Sequence, residues 1–520
     1  MEKQLPKNWV ETGLNTIILY VIGGDWGKDP ESINDDDYIE VLCIRGSEIK
    51  NWNKNKGNTA SLRKIKKSSL ANRKLQIGDI LLEISGGGPD QPVGRTVFID
   101  KDVLNFELKI DKVCTNFLRL VRIYDIINSS YINNYLQYFY NSGEIVKYQG
   151  GSNNLRNLKF KEYENISIPL PPLAEQNRIV AKLDTLFAQL ETIKASMAKV
   201  PLLLKEFRQQ VLTQAVTGKL TEEWRKGKEL ESAEFLFDKI SKYYSGNKKR
   251  KIVSVTSENY SKIPKTWKKC FIGDISEVSN GSTPSRKEEK YWNGHIAWIG
   301  SSFIQNNRIS QVNEFITEEG FKNSSVKILP KGTVLIAMIG EGKTRAQSAI
   351  LDIEATINQN IAALNIEHGF VLPEFLQYYL ISNYEKHRLV GNGTGPQALN
   401  GQKVREIEFI LPPFQEQQEI VSRIESLFAK ADAIEQQYKL LKDKIDTLPQ
   451  ALLHKAFKGE LTEQLDSDGD ARELLQQIQE LKAATGKTVK SKTTKSVTKK
   501  VKFDVEKEGV LGMAAEPNNS

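Results

Sequence analysis

Cysteine and histidine are scarce in this chain, which has three of the first (Cys43, Cys114, Cys270) and four of the second in 520 residues. Thiols so few and scattered exclude a disulfide framework, and no zinc-ligand spacing is present, so no metal site is expected. Long apolar runs are also missing. The longest, IILYVI at 17–22 and VLIAMI at 334–339, are far too short to cross a bilayer, and the opening MEKQLPKNWVETG shows no basic region followed by an apolar one. A cytoplasmic protein with no membrane partner is expected. Excess charge is missing over most of the length as well: the formal charge is +8, but residues 482–502 hold eight lysines and no acid, which accounts for all of it. This Lys, Ser, Thr and Gly stretch cannot bury enough surface to fold and reads first as a solvated tail, with a DNA-binding arm as the alternative.

Motifs for chemistry are incomplete or absent. IGEGKT at 339–344 imitates a phosphate-binding loop, but Ala337 stands where its first glycine belongs, and RAQSAILDI after it lacks a convincing helix to direct at phosphate. Asp90 followed by Glu107 and Lys109 matches, loosely, the two acids and lysine of metal-dependent nucleases. No glycine-rich adenosylmethionine loop and no Asn-or-Asp-Pro-Pro-aromatic tetrad is found.

The chain does contain a long repeat. LPPLAEQNRIVAKLDTLFAQLETI (170–193) matches LPPFQEQQEIVSRIESLFAKADAI (411–434) without a gap at an offset of 241, and AVTGKLTEEW (215–224) matches AFKGELTEQL (456–465) at the same offset. Within each copy the apolar residues step by four and three, through Ile179, Leu183, Leu186, Leu190 and Ile193, and through Ile420, Ile424, Leu427, Ile434 and Leu441. A period near 3.5 keeps one narrow stripe on one face, the pattern of a coiled-coil seam. Pro171-Pro172 and Pro412-Pro413 mark the starts, Glu175 and Glu416 suit the positive helix ends, and Gly218 and Gly459 mark the stops. Pro201 and Pro449 fall inside the pattern, where a kink or short break is expected. The most economical partner for each seam is the other copy, antiparallel, although separate homo-oligomers remain open.

The segments preceding the helices are richer in short β-like runs, glycine turns and polar loops, and they echo one another: LPKNW with IPKTW, LQIGDILL with LPKGTVLI, YLQYFY with FLQYYL. One fold with two specificities is expected. The resulting division is residues 1–165, a helical spacer at 166–224, a linker at 225–262 that includes KKRK at 248–251, a second globular segment at 263–408, a second spacer at 409–465, and a C-terminal helix with the Lys-rich tail at 466–520.

In this order of segments and in both spacer motifs the chain resembles the specificity subunits of type I restriction–modification systems, and within them the type IA group. The resemblance covers both helical copies and the framework of both globular segments. It implies an α+β protein with two target-recognition domains alternating with two long helices that pair as an antiparallel coiled coil, related by a pseudo-twofold repeat. It implies that each recognition domain reads one half of a bipartite, asymmetric double-stranded DNA site. Two methyltransferase subunits would methylate adenine from S-adenosylmethionine and two motor-nuclease subunits would restrict unmodified DNA with ATP and Mg, while this chain binds no cofactor and has no catalytic residue. Rival readings are a stand-alone nuclease or nucleotide hydrolase, and a coiled-coil adaptor that binds only protein.

Base edges are read by Arg or Lys at guanine and by Asn or Gln at adenine, while Ser, Thr and backbone amides mostly grip phosphate. Loops carrying those groups beside glycines supply the candidates. In the first domain they are Gln91, Arg95, Ser152, Asn153, Asn154 and Arg156; in the second they are Ser282, Thr283, Ser285, Arg286, Lys343, Arg345, Gln347, Thr394 and Gln397. The same glycines serve equally well as plain tight turns.

Overall fold

The computed structural model describes residues 5–88, 91–107, 109–152, 155–245, 263–340, 343–389 and 399–486. Seven helices of ten residues or more lie among them: α1 (Ser129–Asn141), α2 (Leu173–Met197), α3 (Val200–Val216), α4 (Ala233–Ser245), α5 (Pro373–Ser382), α6 (Phe414–Phe457) and α7 (Ala471–Gly486). The chain divides into two compact units, one of residues 1–189 with 447–520 and one of residues 190–446. Each unit therefore contains one globular segment and a part of each helical copy.

The first unit is built on a four-stranded antiparallel sheet in the order Ile18–Gly23, Leu118–Ile123, Ile80–Glu83, Thr96–Phe98. A three-stranded sheet accompanies it, in which Tyr38–Ile44 pairs antiparallel with Ser61–Lys66 and parallel with Lys112–Cys114. Ile80, Leu81 and Leu82 have no exposed surface on either face of the strand, which is why the ILL of DILLEIS is continuous and does not alternate with polar residues. Val10–Gly13 pairs with Ser167–Leu170, joining the start of the globular segment to its end. Ile179 and Leu183 of α2 lie in one core with Leu453, Ala456 and Phe457 of α6 and Ile478 of α7, and Phe457 meets Tyr131 and Tyr135 of α1 edge-on.

The second unit repeats the design. Glu277–Asn280, Ile361–Asn365, Val334–Ala337 and Ser348–Leu351 take the same antiparallel order, extended by Arg308–Ile309. Trp292–Ile299 lies antiparallel to Phe315–Ile316 and parallel to Thr356–Ile357, and Lys268–Phe271 pairs with Glu408–Leu411. In this unit α3 and α6 run antiparallel: Arg208 reaches Asp432 and Glu435 at 2.7 and 2.9 Å, while Thr221, farther along the chain, reaches back to Glu416 at 2.7 Å. Val211, Leu212, Ala215 and Val216 share a core with Ile420 and Ile424, against which Leu427 is half-buried.

The other seam positions differ in burial. Leu190 is buried and Leu186 half-buried, whereas Ile193, Ile434 and Leu441 are 47%, 50% and 51% exposed. The two prolines also differ. The helix breaks between Met197 and Val200, which places Pro201 in the first turn of α3, where a missing N–H costs nothing. Pro449 lies inside α6, which continues through it.

Both spacers join their domains through the same polar cluster. Glu175 and Glu416, in the first turns of α2 and α6, are completely buried. Glu175 accepts from the indole N–H of Trp9 at 2.8 Å and from Gln464 at 2.9 Å, with Thr462 at 3.3 Å. Glu416 accepts from Trp267 at 2.8 Å and Thr221 at 2.7 Å, and it is ion-paired with Arg225. Gly218 and Gly459 take φ of +76° and +70°, the left-handed helix stop, and a Cβ on either would sit 2.5 Å from a proline ring carbon, Pro264 or Pro6. The helices α4 and α7 are matched too, burying Ala233, Leu236 and Ile240 in one and Ala471, Leu474 and Ile478 in the other.

Candidate nucleic-acid interface

In the first unit the two glycine loops singled out from sequence are strands of one ribbon. Gln149–Ser152 pairs with Leu155–Leu158, which pairs in turn with Ser85–Gly87, setting Arg156 opposite both Gly151 and Gly87. Asn153 and Asn154 lie outside the described residues, as does the side chain of Ser152.

Beside the ribbon opens a cleft of about 850 Å³ lined by Trp26, Lys50, Gln91, Arg95, Phe117 and Leu155, among others. Arg95 forms a bidentate bond with Glu83, Nε to Oε2 at 2.8 Å and Nη2 to Oε1 at 2.5 Å, and Nη2 also donates to the Gly46 carbonyl at 3.3 Å. The Glu83 carboxylate is only 2% exposed, and its hydrogen bonds push the Arg95 pKa above the usual arginine value. With its amide oxygen turned toward Arg95, Gln91 accepts from that guanidinium at 3.0 Å. Gln91 and Arg95 are thus brought together on the carboxylate of Glu83, a residue that sequence reasoning missed.

In the second unit the Ser282–Arg286 loop is held by two tryptophans of the neighbouring strand. Trp298 Nε1 donates to the Ser282 carbonyl and Trp292 Nε1 to the Ser285 carbonyl, each at 3.1 Å, while Thr283 donates to Gln359. Arg286 lies over the Trp292 ring at 3.7 Å. The Lys343–Gln347 loop has a different setting. Tyr384 donates to the Lys343 carbonyl and Arg345 Nη2 to the Arg388 carbonyl at 3.0 Å, with Ala346 in a left-handed conformation at φ +67°. Such a backbone is strained for alanine and marks a loop whose shape is enforced by its surroundings. Lys343 and Gln347 line a second cleft, of about 1070 Å³, whose opposite wall is Leu202, Lys205, Glu206 and Gln209 of α3. Thr394 and Gln397 lie outside the described residues.

The look-alikes of chemistry do not gain support from the fold. The segment after Lys343-Thr344 continues as the strand Ser348–Leu351 and not as the helix that a phosphate-binding loop leads into. Asp90 is outside the described residues. The three cysteines are buried and unbonded to one another, and burial raises the thiol pKa, to about 12 at Cys114. Among the described residues no group of three His, Cys, Asp or Glu side chains gathers to hold a metal ion, and no helix is long and apolar enough to cross a membrane.

The orienting residues Glu83, Trp292, Trp298 and Glu314, the last of which accepts from Arg286 Nη2 at 2.5 Å, carried no signal in sequence. The buried glutamates did, since the repeated PP-x-x-E-Q, G-x-LTE and PK-x-W motifs turn out to be the parts of one cluster in each copy.

Comparison with known proteins follows the same duplication. A family model described as the type I restriction modification DNA specificity domain matches twice, at residues 29–201 and 264–442. The chain is similar to the specificity subunit of the type I restriction enzyme EcoKI of Escherichia coli K12, at 28% identity over 513 residues, covering 93% of this chain and 97% of that one. It is similar to the EcoBI specificity subunit of Escherichia coli at 30% identity over 351 residues, 64% of this chain and 68% of the relative. Among solved structures it shares a fold with the HsdS subunit of Thermoanaerobacter tengcongensis, with a TM-score of 0.58 at 17% identity over 88% of this chain and 99% of that one.

Proposed function

Because the chain belongs to the type I restriction–modification DNA specificity family, whose domain it carries twice, we propose that it is the address-reading subunit of a type I complex, with each recognition domain reading one half of a bipartite double-stranded DNA site. The observation that carries this reading is the repeated sheet order in two units whose loops differ, as one scaffold presenting two sets of polar side chains requires. The candidate readers are Gln91, Arg95, Ser152, Asn153, Asn154 and Arg156 in the first domain, and Ser282, Thr283, Ser285, Arg286, Lys343, Arg345, Gln347, Thr394 and Gln397 in the second. Polar readers on a rigid ribbon or a clamped loop pay their ordering entropy before DNA arrives, which favours selectivity.

The chain itself is non-catalytic and cytoplasmic in this reading. Two methyltransferase subunits supply adenine methylation from S-adenosylmethionine, and two motor-nuclease subunits supply ATP- and Mg-dependent restriction. Support for a protein partner on the helices comes from exposed apolar residues on their middle stretches, Ile193 on α2, Leu202, Leu203 and Phe207 on α3, and Ile434, Leu440 and Leu441 on α6. The test is to assemble the chain with its methyltransferase partner and map methylated adenines on random-sequence duplexes. A single bipartite motif is expected; methylation without a shared motif, or nuclease or ATPase turnover by the chain alone, rejects the proposal.

A further inference from the structure

We infer that Arg286 reads a guanine in the half-site of the second recognition domain, and that Trp292 and Trp298 are the positioning residues that aim it. The inference rests on the reading of the chain as a DNA-specificity subunit and adds the base and the residues that select it. The two indoles stand at right angles, 88° apart with ring centroids 5.2 Å from each other, and the guanidinium of Arg286 lies 3.7 Å from one centroid and 4.8 Å from the other. The same two rings hold the loop backbone through the Ser282 and Ser285 carbonyls. Gly281 enters the loop so close to the next strand that a Cβ would lie 2.0 Å from the Ile357 carbonyl oxygen. Backbone and side chain of the loop are therefore fixed by one pair of tryptophans.

Glu314 engages only Nη2 of the guanidinium, at 2.5 Å, and within the described residues neither Nε nor Nη1 has a hydrogen-bond partner. The Arg286 side chain is 54% exposed. What remains is a planar fork with free donors, held in place by stacking and one carboxylate. That is the geometry required for a bidentate bond to O6 and N7 of guanine, and the N6 amino group of adenine would confront it with a donor. The first domain offers a control within the same molecule. Arg63 also stacks on an indole, Trp26, at 4.3 Å, but it is 15% exposed and gives Nε to the Trp26 carbonyl and Nη1 to Asp29. Arg63 has Nε and Nη1 engaged within the protein and is mostly covered, whereas Arg286 has only Nη2 engaged and is more than half exposed.

The experiment maps methylated adenines on random-sequence duplexes for the wild-type complex and for complexes carrying Arg286→Ala, Arg286→Lys or Trp292→Leu. The wild-type second half-site is expected to hold a required guanine. Arg286→Ala lowers the preference for it by about 5- to 150-fold, the range for one bidentate base contact, and leaves the first half-site unchanged. Arg286→Lys keeps the charge without the fork and relaxes the same position, and Trp292→Leu relaxes it more weakly. Arg286→Lys, which can keep the stack and the Glu314 pair, guards against loss of folding. Wild-type preference in both arginine variants, or a loss spread evenly over all sequences as for a phosphate contact, overturns the inference while the specificity-subunit reading stands. A wild-type complex with no bipartite motif overturns that reading instead.

Discussion

Glu416 has no exposed surface, yet it is the acceptor for Trp267, Thr221 and Arg225 at once. Removing it strands two buried donors and an arginine that is 18% exposed. We expect Glu416→Ala to destabilise its unit by about 2–4 kcal/mol, and each kcal/mol to lower the melting temperature by roughly 2–4 °C in differential scanning calorimetry. Arg95 and Glu83 form a similar pair in the first unit. Arg95→Ala leaves a buried carboxylate alone, so this variant should lose both stability and recognition of the first half-site. Adding Glu83→Gln restores the melting temperature but not the half-site; an unaltered first half-site in the methylation map argues against Arg95 as a reader.

His387 adds a pH dependence. Its imidazole is 4% exposed; burial, assisted by Lys386, lowers its pKa from 6.5 to about 4. Between those values the unfolded chain binds a proton that the folded chain does not. Stability therefore falls as pH drops from 6.5 toward 4, by up to about 3 kcal/mol. Denaturant titrations at pH 7 and pH 4.5 should show a smaller loss on acidification in His387→Gln.

At the scale of elements, the spacers were legible because apolar spacing reports a stripe whatever covers it. What covers each stretch was not legible. Ile420 and Ile424 are buried, while Ile434 and Leu441 continue the same period and are about half-exposed. The period fixes a face and leaves its neighbour unspecified. Leu440→Asp with Leu441→Asp should therefore change the melting temperature of the isolated chain little, corresponding to within about 0.5 kcal/mol. The same variant should weaken binding of the methyltransferase partner severalfold in calorimetric titration; unchanged affinity removes these residues from the interface. Pro201 and Pro449 teach the same lesson, since a proline inside the apolar pattern of each copy accompanies a helix break in one case and an uninterrupted helix in the other.

At the scale of the whole molecule, the duplication of the fold could be read from the spacers' offset of 241 together with the echoed framework segments, which land on strands and helices that form the two cores. The candidate readers were legible only as residue types beside glycines. Their partners Glu83 and Glu314 act across 12 and 28 residues, and pairing at such distances leaves no periodic trace. The composition of each unit was equally hidden. The first contains the far end of α6 and all of α7, where Arg178 binds Asp468 at 2.6 Å and Ala471 N–H donates to the Asn8 carbonyl at 3.0 Å. A chain stopped after residue 446 should lose amide-exchange protection throughout 10–170 and keep it at 268–411, whereas a chain stopped after 486 should keep both.

The twin carboxylate clusters have a consequence for heredity. A gene fragment exchanged between the proline pair of one rod and the glycine stop of the other brings its own indole and finds a buried glutamate waiting in either place. Recombination at those short repeats can reshuffle whole readers without redesigning a joint, and, if the chain is an address-reading subunit, a lineage can acquire a new address in a single crossover.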